Sequence, residues 1–78
     1  MSSFKLKVEV ERGITAERAF EDAVLLANKL DVIIEFLFNG IVCYAYPNTE
    51  WEYGVEQYVA IRNNPGPDKI AFTKNWGV

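Results

Sequence analysis

The side chains of this chain that could do chemistry are a few carboxylates, one thiol and a run of phenols. Glu50, Glu52 and Glu56 stand close together, and the four-residue spacing of Glu52 and Glu56 would set both on one helix face. Such a pair could hold a hard cation, yet the stretch lacks the glycine and the ligand spacing of a calcium loop. A solvated face, with acids near the favourable N-terminal end of a helix dipole, accounts for them. Cys43 is the only cysteine, and the chain contains no histidine to activate it. It reads as a small core residue. One thiol forms no internal disulfide, and no Cys/His cluster offers itself to zinc. The five glycines stand singly, so no phosphate-cradling loop is present. No catalytic residue, metal or cofactor is assigned, and a non-enzymatic role is expected.

The aromatic residues are more suggestive. Tyr44, Tyr46, Trp51, Tyr53 and Tyr58 all fall between positions 44 and 58. Strand alternation puts Val42, Tyr44 and Tyr46 on one face, with Cys43 and Ala45 on the other. Size alone leaves open which face is core. Tyrosines turned away from the helices would share an open sheet face with Lys5, Lys7, Ile33 and Leu37. The RNA-recognition motif stacks bases on such a face, using aromatics of its first and third strands. Here the first strand offers Lys5, Lys7 and Glu9 instead, and the third lacks that motif's glycine-and-aromatic signature. Alternatively the tyrosines fill the core or the helix–sheet seam, with hydroxyls at the rim.

Stepping from these residues to what must hold them, 78 residues are expected to form a single domain over 1–78. Half the residues are hydrophobic, enough for a packed core without staples. No segment approaches the ~18 apolar residues of a membrane span. The opening residues run straight into a strand-like pattern rather than a signal sequence, so a cytoplasmic location is expected. A net charge of −3 disfavours a broad hold on phosphates and suits a basic protein surface.

Residues 4–10 alternate, apolar at even positions and charged at odd ones, as in a strand with one buried face. Thr15 can cap a helix over 16–30, whose apolar stripe runs through 16, 20, 23, 24, 27 and 30. Leu25 breaks that order, pointing into the polar face where a partner could use it. Residues 32–38 and 41–46 flank Asn39-Gly40, the strongest short-range signal of a hairpin. Thr49 and Glu52 match a capping box for a helix over 50–62. Gly54 argues against that helix, and an alternation through Val55, Val59 and Ile61 offers a strand instead. A loop around Pro65 and Pro67 precedes a short strand at Ile70 and Phe72 that ends near Trp76.

The order β-α-β-β-α-β predicts an α+β fold, the ferredoxin-like split βαβ plait. Two helices would lie on one face of a four-stranded antiparallel sheet, with the first strand beside the third. Were the second helix a strand, one helix would pack on a curled antiparallel sheet. Either way the uncovered face would carry Ile33 and Leu37, and one or two tyrosines if Tyr44 and Tyr46 turn outward, within a charged rim, a pattern that marks a partner surface or a homodimer face. Leu25, Glu52 and Glu56 complete the candidate contact residues. In general character the chain resembles the small acidic accessory proteins of bacteriophages. The likeness rests on Phe38–Asn39–Gly40–Ile41 with the strand after it, and on Asn48–Thr49–Glu50–Trp51–Glu52. It implies binding to a host protein, as inhibitor or modulator. A single-stranded nucleic-acid binder using Tyr44 and Tyr46, and a self-associating structural subunit, are the alternatives.

Overall fold

The computed structural model describes residues 4–64 and 70–73. The elements run β1 (Lys5–Val8), α1 (Ala16–Leu30), β2 (Ile33–Phe38), β3 (Ile41–Ala45), α2 (Trp51–Asn63) and β4 (Ile70–Phe72). The expected ends of the last loop and strand, around Pro65, Pro67 and Trp76, lie outside the described residues.

Helix α1 begins where the cap predicts. The Arg18 backbone N–H donates to Thr15 Oγ1 at 3.1 Å. Its apolar stripe buries Phe20, Ala23, Val24 and Ala27, and Leu25 faces solvent. Asp31 ends it in the left-handed region, at φ 54°. That sharp reversal sends the chain into β2 after only Val32. At the hairpin, Asn39 and Gly40 both have positive φ, 51° and 79°, the backbone of a two-residue turn that fits the strand twist.

The second helix forms, but its cap differs from the expectation. Glu50 occupies the N-cap position and makes no side-chain capping bond. Thr49 is engaged elsewhere: its hydroxyl donates to the Tyr46 carbonyl at 2.6 Å and lies 2.6 Å from Thr73 Oγ1. Since Thr49 has given its one proton to Tyr46, Thr73 is the donor to Thr49. Thr73 accepts in turn from the Tyr46 N–H at 2.9 Å. These three residues close a ring of hydrogen bonds that ties the end of β4 to the β3–α2 turn. Gly54 is buried where α2 crosses α1, leaving no room for a side chain against Phe20.

The fold is α+β, with two helices and a four-stranded sheet. Its strand order is β1-β2-β3-β4, with β1 parallel to β2, β2 antiparallel to β3, and β3 parallel to β4. The expected antiparallel plait, with the first strand beside the third, is therefore not what forms. Each βα unit instead returns to the adjacent position. Charge favours this order, because Lys5 and Lys7 of β1 both reach Glu35 of β2, at 3.2 and 3.6 Å. On the same face of β3 the residue opposite Glu35 is the uncharged Tyr44.

Both helices lie on one face, where Ile34, Phe36, Cys43, Ala45 and Ala71 are buried beneath them. The small residues of β3 and β4 let the helices come close, and the larger rings fill the space between layers. Phe20 meets Phe36 edge-on at 5.1 Å, and Tyr58 meets Phe38 at 5.4 Å.

Candidate interaction surface

Among the described residues, the other face of the sheet carries no helix. Cross-strand register arranges its side chains in rows, because directly paired residues share a face. Lys5 stands beside Ile33. Lys7, Glu35, Tyr44 and Phe72 form the middle row. Leu37, Val42 and Ile70 form the third. The tyrosine question is thereby answered: Tyr44 faces outward, and Tyr46, just past β3, continues that alternation. Tyr58 alone among the tyrosines fills the core, with its hydroxyl accepting from Asn39 Nδ2 at 2.7 Å.

The open face is divided chemically. At one end Glu35 sits between two ammonium groups, so the β1–β2 corner has one positive charge in excess. Lys5 also lies 5.3 Å from the centroid of the Tyr44 ring. Its pKa is raised, first by the hydrogen bond to Glu35, then by the nearby Tyr44 phenol and the Glu35 charge. At the other end Leu37 keeps 62% of its surface exposed and Ile70 keeps 44%, with Val42 half-buried between them.

The anticipated contact residues do not all come together. Ile33, Leu37, Tyr44 and Tyr46 belong to the uncovered face. Leu25, Glu52 and Glu56 are exposed on the helical layer, on the opposite side of the sheet. Ile70 and Phe72 were not singled out from the sequence as contact residues. Their signal is the small Ala71 between two large apolar neighbours, the same pattern that Cys43 makes between Val42 and Tyr44.

Cys43 is fully buried, and burial pushes its thiol up to about 12, so it is protonated and shielded near neutrality. Among the described residues no three His, Cys, Asp or Glu side chains converge as a metal site would require. Among them, no helix is long and apolar enough to cross a membrane. Compared with protein-family models, curated proteins and solved structures, the chain has no match.

Proposed function

We propose that this chain is a non-enzymatic protein-interaction module that binds and modulates another protein through the uncovered face of its sheet. The row of Leu37, Val42 and Ile70 supports this most directly. It joins three strands into one apolar strip that faces water, beside an aromatic and charged corner. An apolar centre with a polar rim is the anatomy of a contact surface. The strip fits an apolar patch on the partner, and the Lys5–Lys7–Glu35 corner gives the contact its orientation. A host protein as that partner, the role implied by the phage-type likeness, belongs to the same proposal.

Capture from bacterial lysate tests it, using wild type, Leu37→Asp and Leu25→Asp with nuclease present throughout. The expected result is one stoichiometric protein held by wild type and Leu25→Asp and lost from Leu37→Asp, with far-UV circular dichroism unchanged. Retention by Leu37→Asp together with loss from Leu25→Asp would move the contact to the helical layer.

The nucleic-acid alternative draws on Tyr44 with Lys5 over its ring. Against it, Glu35 offsets one of the two lysine charges that phosphates would draw on, and the chain as a whole is acidic. Binding to a single-stranded oligonucleotide that falls steeply with salt would favour that alternative over a protein partner. Self-association through the same face would show as a dimer in sedimentation, lost in Leu37→Asp.

A further inference from the structure

The two edges of the sheet are finished differently. On β4, the Thr73 N–H bonds inward to the Tyr44 carbonyl at 3.0 Å, so the Phe72 N–H points outward. It donates to Gln57 Oε1 at 3.2 Å, and α2 thereby caps that edge. On β1, the Ile33 N–H donates to the Phe4 carbonyl at 3.2 Å, which sets the parity of the parallel ladder. Leu6 and Val8 face β2, and the N–H and C=O groups of Lys5 and Lys7 point away from the sheet. Among the described residues no strand lies on that side of β1.

The layer above β1 is open as well. Helix α1 lies over β2 and β3, and of β1 only Val8 at its end packs against the core. A cleft of about 750 Å³ runs between β1 and the helix, its apolar wall made by Val8, Val10, Ala23 and Leu26, with Glu9, Glu11, Arg18 and Asp22 also lining it. Leu6, on the same side, keeps 42% of its surface exposed. On the opposite side the Lys7 side chain is 81% exposed and shares the Glu35 carboxylate with Lys5.

We propose that the outer edge of β1 accepts an extended segment of another protein as a fifth strand, one that alternates apolar and acidic side chains. This rests on the reading of the chain as a protein-interaction module, and it names a second place of contact. Each feature selects one property of the segment. The outward backbone groups of Lys5 and Lys7 select a strand, by main-chain hydrogen bonding. The cleft selects apolar side chains on the helix side. Lys5 and Lys7, two cations on one carboxylate, select acids on the other side. Glu9 follows them on that face, so the acids must end before it. Within Lys5–Val8 a second copy of this chain is the poorer occupant, because two-fold antiparallel pairing there would set lysines opposite lysines. Edge lysines guard against self-pairing in this way, and the same charges admit an acidic strand.

The test uses a short capped peptide of alternating valine and glutamate, its valine–lysine counterpart, and a valine–glutamate peptide N-methylated at alternate residues. Binding is followed by fluorescence anisotropy, and amide protection by NMR hydrogen exchange. The valine–glutamate peptide is expected to bind and to slow exchange at the Lys5 and Lys7 amides. The other two peptides should bind at least about tenfold more weakly. Lys7→Pro removes the outward N–H without touching the β1–β2 ladder, and should weaken binding well beyond Lys7→Ala. Should Lys7→Pro fail to fold, the N-methylated peptide makes the same test. Equal binding of the valine–lysine peptide, or no binding of any peptide, overturns the proposal and leaves the lysines as edge guards. Binding that perturbs Leu37 and Tyr44 but not the Lys5 and Lys7 amides overturns it too, while supporting the open face as the contact. Protection of those amides without peptide, in a dimer, assigns the edge to a second copy and overturns the acidic segment.

Discussion

Gly54 of α2 lies directly on the ring of Phe20 of α1: a β-carbon added there would overlap Cδ1 and Cε1 of the ring and fall 2.7 Å from Thr73 Cγ2. Phe20 cannot move aside, since it is fully buried and packed edge-on against Phe36. Gly54→Ala should gain ~1 kcal/mol of helix propensity and lose about 1–3 kcal/mol to overpacking. Net destabilisation in urea unfolding is expected. Adding Phe20→Leu should recover part of the loss, giving a coupling energy in a double-mutant cycle. Simple additivity of the two changes would show that the contact does not set the helix spacing.

Thr73→Val keeps the shape of a buried side chain and removes both of its hydrogen bonds. The Tyr46 N–H loses its acceptor and Thr49 its donor. A loss of about 1–3 kcal/mol in denaturant unfolding is expected. Thr73→Ser preserves the ring of bonds and should lose only about 1 kcal/mol for one methyl group. Equal losses would mean that packing, not the ring, holds β4.

Asn39 combines a turn conformation with a long-range bond to Tyr58. Tyr58→Phe removes the bond alone and should cost about 1 kcal/mol. Asn39→Ala also removes the polar side chain whose local hydrogen bonding lets Asn tolerate positive φ, and should cost up to about 1 kcal/mol more. Asn39→Gly separates the effects, since glycine removes the bond and relieves the strain. It should be no more destabilising than Tyr58→Phe in thermal unfolding.

Cys43 should report global opening. Near neutrality its labelling by a disulfide reagent should be no faster than unfolding, because the thiol is buried and protonated. Its folded pKa, raised from 9.0 to about 12, also gives the fold a pH dependence. Between those values the unfolded chain releases the proton and the folded chain keeps it, so stability falls as pH rises. The contribution is complete below 9.0 and disappears as pH approaches about 12. Cys43→Ala, measured over the same range, should show a shallower decline. An identical slope would assign the alkaline loss to other groups, such as Lys5.

Local structure was legible because local periodicity carries it. The stripe from Ala16 to Leu30 and the Asn39-Gly40 turn need only neighbouring residues to specify them. The second helix was legible despite Gly54, whose cost is explained by a contact with Phe20 that only the tertiary structure provides. Strand order was not, because alternation shows which face is apolar without showing which strand lies alongside. The best clue was the two lysines of β1 and the single Glu35 of β2, a match of charge across strands. Thr49 was misleading for a similar reason. Its local capping pattern lost to a partner, Thr73, far along the chain. The outward turn of Tyr44 depended on helix proximity, which reserves the inner side of β3 for Cys43 and Ala45.

The β1-β2-β3-β4 order also bears on how the chain assembles. The central hairpin closes across a two-residue turn, and each outer strand then adds to a side that is already formed. No strand has to slip between two others, so neither half must wait for the other, and docking can begin from either end. A kinetic nucleus at Phe36 and Cys43, with high φ-values there and lower ones in β1 and β4, is the folding route this connectivity favours.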